Sequence, residues 1–357
     1  MAETLPVQYV KFTKRKFGIE LEVSKKVSLE TIVNAVKLAD RDKEVYSSNH
    51  YQQDSGNTYW HCKFDRSCGA KANEGGWEVA SYVGNGVDDL LKISQIGTAL
   101  KNAGCEVNDN CGYHIHAEAK DYDQNQAATL MAYWMKLEPL LGEIVPKSRI
   151  TGKTAIYCKM LRDVKNVRSV DLKNAETFWA RVRPTSFDNN ERRVSLNMCN
   201  YALGTASKRT AELRLPEGTL EEVDIKNWAR MFIHFVSYCK KARFPGNIDP
   251  VTNLREMATV LGLHNEDPFF ILSKGLYETK MWLLSRAVKY GKKAIKAEAQ
   301  DYLNFIAPSA PATSPMLRDS WADLYEEVKK KVVPKKKKEM KVPSVISEND
   351  FWEPYDE

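Results

Sequence analysis

The sequence predicts an α+β fold, a strand-rich first part followed by a helical C-terminal region. Three observations carry this. Strand-like and helix-like segments alternate over roughly the first 220 residues, and helical periodicity takes over afterwards. Three of the strand candidates also repeat one pattern, two functional side chains separated by a single apolar residue.

The strand candidates are 17–24, 45–51, 57–66, 76–82, 111–119, 192–199 and 209–216. Between them Ser28 caps a helix running to about Asp40, a second helix covers 88–103, and a longer one covers 125–144 with Leu130, Met131, Trp134, Leu137 and Leu141 on one face. Residues 224–241 set Ile225, Trp228, Phe232, Phe235, Val236 and Cys239 at i, i+3, i+4, i+7 spacing, an amphipathic helix that packs on the strand layer. Residues 268–305 continue as helix with a break near Gly291, and there is no internal repeat. A Pro, Ala and Ser-rich stretch begins at 307, and a short helical pattern follows with Leu317, Trp321, Leu324 and Val328. The expected organisation is a first domain at 1–245, a helical extension packed on it at 246–306, a linker and short helix at 307–331, and a disordered tail at 332–357.

Composition narrows the class. The 357 residues are 43% hydrophobic and 28% charged, and no apolar run approaches the ~18 residues of a membrane helix. The first 20 residues lack a signal-peptide core, so a cytoplasmic protein without a membrane partner is expected. An odd count of seven Cys fits reduced thiols. The net charge of +6 is largely a tail effect: 329–341 hold eight Lys and one Glu, 342–357 hold five acidic residues, and the first 328 residues carry only +4. The Lys-rich tail is thus the stretch suited to a polyanion, and the body does not demand one.

The repeated pattern is the informative one. It comprises Glu20-Leu21-Glu22, His114-Ile115-His116 and Glu212-Leu213-Arg214. Successive strand side chains point to opposite faces, so each pair shares one face and the apolar residue between turns to the other. The wet side of an ordinary strand uses Lys, Thr, Ser and Gln; these use Glu, His and Arg, and Glu78 in Gly76-Trp77-Glu78-Val79 adds a carboxylate. A surface strand, structural histidines or an intrastrand ion pair explains any one pair, whereas their joint occurrence favours a metal or phosphate site. Hard oxygen donors with imidazole suit Mg²⁺ or Mn²⁺.

Other readings stand beside it. Cys62 and Cys68 have five residues between them, as do Cys105 and Cys111, which suggests a zinc-binding module. The same carboxylates would also serve a metal-dependent hydrolase without ATP turnover, and a silent binding protein would rely on the tail. No Walker loop, Rossmann glycine fingerprint or serine hydrolase elbow is present.

Over roughly residues 16–240 the chain resembles the amidoligases, carboxylate-amine ligases distantly related to glutamine synthetase and the γ-glutamylcysteine ligases. The matching stretches are Phe17-Gly18-Ile19-Glu20-Leu21-Glu22-Val23, Lys63-Phe64-Asp65-Arg66-Ser67, Gly76-Trp77-Glu78-Val79-Ala80-Ser81, Cys111-Gly112-Tyr113-His114-Ile115-His116, Ser195-Leu196-Asn197 and Thr210-Ala211-Glu212-Leu213-Arg214-Leu215 with Pro216-Glu217-Gly218 after it. The resemblance implies a curved, mainly antiparallel sheet of the glutamine synthetase catalytic-domain type, with helices on its convex side and ATP and divalent metals on its concave face. It implies Glu20, Glu22, Glu78, Glu212 and His114 as metal ligands, and His114, His116, Asn197 and Arg214 against ATP. It implies Arg214, Glu212 and His116 in catalysis, and Lys63, Asp65 and Ser81 on the substrate side. The implied activity is ATP- and Mg²⁺-dependent (or Mn²⁺-dependent) formation of an amide or isopeptide bond through an acyl phosphate. Ser81-Tyr82-Val83-Gly84 stands where the family often has two prolines, and 204–209 is inserted before Thr210; the sequence chooses neither the carboxylate, nor the amine, nor an oligomeric state.

Overall fold

The computed structural model describes residues 15–50, 58–69, 74–167, 172–263 and 277–306. The expected linker, short helix and tail lie outside the described residues. Seven strands form one open sheet: β1 (Phe17–Ser24), β2 (Val45–Ser48), β3 (Trp60–Asp65), β4 (Gly76–Ala80), β5 (Tyr113–Glu118), β6 (Leu196–Asn197) and β7 (Thr210–Leu213). Their order is β2-β3-β4-β1-β5-β7-β6, with β2 and β3 parallel and every other neighbour antiparallel. Each strand falls within an expected segment, and 192–199 contracts to the two residues of β6.

Twelve helices are present among the described residues. They are α1 (Leu29–Ala39), α2 (Gly86–Asn102), α3 (Gln124–Leu141), α4 (Ser148–Thr151), α5 (Leu161–Lys165), α6 (Ala175–Val182), α7 (Asn189–Arg192), α8 (Cys199–Leu203), α9 (Glu222–Cys239), α10 (Leu254–Val260), α11 (Tyr277–Tyr290) and α12 (Lys293–Ile306). Local chemistry starts them. Ser28 Oγ accepts from Thr31 N to cap α1, and Asp123 and Gln126 form a reciprocal capping box on α3. The break near Gly291 separates α11 from α12. Between Val145 and Arg193 the chain forms short helices that the sequence pattern does not announce, because each is too brief to show a period.

The odd-numbered residues of β1 (Phe17, Ile19, Leu21, Val23) join Val79, Ile115 and Leu213 in the core, on the face covered by α2 and α9. Tyr113 Oη donates to Ile225 O of α9 at 2.8 Å, tying helix to sheet. Trp134 of α3 packs on Phe232 and Phe235 with ring centroids 6.4 and 5.9 Å away, and Trp282 of α11 meets Trp228 edge-on at 4.9 Å. No helix among the described residues is long and apolar enough to cross a membrane. All seven cysteines are free and buried.

α9 carries a titratable group into this packing. His234 Nε2 lies 3.0 Å from Gly262 O; burial, with the Lys280 charge beside it, pushes its imidazole down to about 4 against the opposing pull of that carbonyl. An unfolded histidine protonates near pH ~6.5. Between those values the unfolded chain binds the extra proton, so this stabilisation is complete above about 6.5 and is lost on acidification, at up to about 1.4 kcal/mol per pH unit. Urea unfolding of wild type and His234→Gln at pH 7 and pH 5 is expected to show a smaller loss of stability on acidification in the variant.

Candidate active site

Cross-strand register assembles the site. Glu20 pairs with His114 and with Ala80, Glu22 with Glu78, Lys63 with Glu78, His116 with Glu212, and Glu212 with Asn197. Side chains directly opposite in a ladder share a face. Lys63, Glu78, Glu20, Glu22, His114, His116, Glu212 and Asn197 therefore form one row across β3, β4, β1, β5, β7 and β6, on the face away from α2 and α9.

Each carboxylate of the row meets a nitrogen donor or imidazole. Glu20 bridges two imidazoles, with Oε2 3.0 Å from His114 Nδ1 and Oε1 3.2 Å from His116 Nε2. His114 Nε2 lies 3.7 Å from Glu22 Oε1, and Gly112 N donates to Glu22 Oε2 at 2.5 Å. Lys63 Nζ lies 2.9 Å from Glu78 Oε1. Glu212 accepts from Arg214 Nη1 and, at 2.6 Å, from Asn197 Nδ2. Glu22, Glu78, His114, Asn197 and Glu212 are all buried, while Glu20, His116 and Arg214 are partly exposed and form the mouth.

Burial competes with these charges. It pushes Glu20 up, but His116 and His114 outweigh it and hold the carboxyl well below its usual range. It pushes Glu212 up too, and Arg214 and His116 bring it below its ordinary value. Glu78 goes the other way: burial and the Glu20 charge raise it well above the carboxylate range despite Lys63. Burial lowers His116, and Glu20 and Glu212 reverse that and raise it.

Two sets of donors lie close enough to share an ion, with one ligand atom from each member within 4.8 Å of the others: Glu20, His116 and Glu212, and Glu22, Asp65 and Cys68. Oxygen-rich sets with one imidazole or one thiol fit a divalent cation. Glu78 and His114 belong to neither set; the first faces Lys63 and the second stands between Glu20 and Glu22. Arg214 and Asn197 contact Glu212 at the rim of the first set.

Other expected residues sit differently. Asp65 Oδ1 accepts from Ser67 N and Oγ, both at 2.6 Å, and the residue still faces the second set. Ser81 is not part of the row: its hydroxyl accepts from Ile19 N at 2.9 Å and donates to Tyr82 O at 2.8 Å, lacing β1 to the chain after β4. The four cysteines of the zinc reading do not converge. Cys62 turns into the core, where Cys105 acts on it, whereas Cys68 lies by Cys111 on the carboxylate side. Cys68 lies in the turn beyond the end of β3, which carries it to the carboxylate side, and equal spacing along the chain does not reveal this.

Sequence reasoning missed Arg149. It is fully buried, donates from Nη2 to Arg214 O at 2.6 Å and from Nε to Leu215 O at 3.2 Å, and lies beside Gly112 together with Glu22. It belongs to the four-residue α4, where no periodicity marks it.

Residues 13–236 match the family described as "Putative amidoligase enzyme", more than half of the chain. The chain belongs to the amidoligase family. Among curated proteins no sequence matches it. The span covers every strand of the sheet and so the whole row of this amidoligase.

Gly112 gauges how tightly the row is built. A Cβ there would stand 2.8 Å from His114 Nε2 and 3.4 Å from both Arg149 Nη2 and Glu22 Oε2, whereas a Cβ at Gly18 of β1 meets only Ser81 Oγ at 3.8 Å. Gly112→Ala is expected to lower the unfolding free energy by about 1–3 kcal/mol through overpacking. Gly18→Ala is expected to stay within about 0.5 kcal/mol of wild type. Urea denaturation of the two variants measures the contrast.

Proposed function

We propose that this amidoligase is an ATP-dependent carboxylate-amine ligase that uses Mg²⁺ or Mn²⁺ and works through an acyl phosphate on a sheet of the glutamine synthetase kind. The observation that carries the reading is the carboxylate and imidazole row from Lys63 to Asn197, with Arg214 at its open end, in a chain of this family. A carboxylate does not condense with an amine at neutral pH without activation. In the proposed reaction a substrate carboxylate oxygen attacks the γ-phosphorus of ATP, the bond to the β–γ bridging oxygen breaks, and ADP departs. The amine nitrogen then attacks the acyl carbon, phosphate leaves with the electron pair of the acyl C–O bond, and the amine releases a proton.

Glu20, His116 and Glu212 would hold one cation, with Glu22 and its neighbours as the second donor set. A bound divalent ion supplies neutralisation of charge on the phosphate oxygens. Arg214 provides a permanently charged, planar donor for the transferred phosphoryl group, and Glu212 and the carbonyl of Tyr157 (3.4 Å from Arg214 Nε) fix its orientation. Asn197 holds Glu212 from the other side, its own Oδ1 accepting from Cys199 N at 2.9 Å. The apolar face behind the row keeps these groups from shifting as charge develops.

Two measurements test the proposal. ATP binding by calorimetry is expected to need Mg²⁺ or Mn²⁺ and to be lost in the Glu20→Ala, Glu22→Ala double variant; no ATP binding with any divalent ion overturns it. Once a carboxylate and an amine that drive ADP release are found, Arg214→Ala is expected to lower turnover by at least about 10²-fold, in the range seen when one preorganised donor is removed. Arg214→Lys is expected to recover little, because an ammonium lacks the fork. Near-wild-type turnover in Arg214→Ala removes that residue from the mechanism.

A further inference from the structure

The two donor sets differ in chemistry. Glu20, His116 and Glu212 offer oxygen and nitrogen, whereas Glu22, Asp65 and Cys68 offer two oxygens and a sulfur. Cys68 packs directly on the sheet: a Cβ on Gly76, the β4 residue opposite Asp65, would come within 2.6 Å of Cys68 Cβ and closer still to Val23 O. Gly76 is two residues from Glu78 and shares its face. The loop carrying Cys68 is fastened by side chains: Asn108 Nδ2 donates to Cys68 O at 3.0 Å, Asn110 Nδ2 donates to Gly69 O, and Asp65 accepts from Ser67. Cys68 is fully buried, and its thiol makes no hydrogen bond among the described residues. A thiol serving as a small apolar filler belongs among apolar atoms. This one stands within 4.8 Å of Glu22 and Asp65 oxygens, and Glu78 also acts on it electrostatically.

We propose that Cys68 is the sulfur ligand of a cation position formed with Glu22 and Asp65, which favours an ion more thiophilic than Mg²⁺. The proposal rests on reading the carboxylate row as a metal site. Binding breaks the S–H bond, releases one proton to solvent and forms a metal–sulfur bond. Sulfur donors shift selectivity toward softer ions, so this position would discriminate against Mg²⁺ while Glu20, His116 and Glu212 would not.

The test uses the full chain, stripped of metal and titrated with Co²⁺, following the near-ultraviolet thiolate-to-cobalt charge-transfer band and calorimetric stoichiometry. The band is expected to grow to one equivalent in wild type, to vanish in Cys68→Ser and to persist in Cys111→Ser. Cys68→Ser is expected to keep Co²⁺ at the other position and to lose at least tenfold in its preference for Cd²⁺ over Mg²⁺. Co²⁺ bound without the band in wild type, or a band lost only in Cys111→Ser, overturns the role of Cys68 and leaves the metal-dependent reading intact. Absence of binding by Co²⁺, Mg²⁺ and Mn²⁺ alike overturns both. Should Cys68→Ser fail to fold, the band in wild type and in Cys111→Ser decides alone.

Discussion

Burying several carboxylates along one sheet face is feasible only where each finds a compensating group, and the antiparallel register supplies them. Glu20 lies opposite His114 and reaches His116, Glu78 lies opposite Lys63, and Glu212 lies opposite His116 and beside Arg214. A charge left without its partner in such surroundings costs about 3–5 kcal/mol. The row therefore behaves as one unit, and a slip of a single residue in register would turn every member into the apolar core. The same pairing suits the row to the proposed cations: the histidines hold Glu20 at the mouth, and Arg214 and His116 hold the buried Glu212, below their ordinary range.

Alternation also separates the labour of the two faces. Ile19, Leu21 and Val23 pack toward α2 and α9, so the side chains that alternate with them, Glu20 and Glu22, are left to polar work. The donors stand on strands fixed by a core of large aromatic residues, which supports the geometric precision that the proposed phosphoryl transfer would demand.

How much of this was legible in the sequence follows from the range of each signal. The strands and the long helices were legible because period-two and period-3.6 patterns are local, and Glu20, Glu22, His114, His116, Glu212 and Arg214 declared themselves by unusual side chains at alternate positions. Arg149 was not, because its value comes from carbonyls of Arg214 and Leu215 more than sixty residues away. Cys68 was visible as a cysteine but grouped with the wrong partners, since only the three-dimensional register shows that it stands over Gly76 while Cys62 faces the core. Ser81 looked functional by its place in a motif, yet its hydroxyl is occupied by backbone.

The site also depends on residues beyond the span that matches the family. Arg286 of α11 is buried, stacks on Trp228, Trp282 and Tyr290, and donates to Ile144 O, Asp224 and Glu217. Glu217 bridges to Gly112, Gly218 N donates to Cys111 O at 2.8 Å, and Gly112 N in turn holds Glu22. A guanidinium in the C-terminal helices is thus three links from the carboxylate row. Arg149 closes the opposite side by gripping the carbonyls of Arg214 and Leu215. Between these two buried arginines the chain from Arg214 to Glu217 has little freedom to move. That constraint explains how a short strand, β7, holds the Glu212–Arg214 pair in place at the open end of the site.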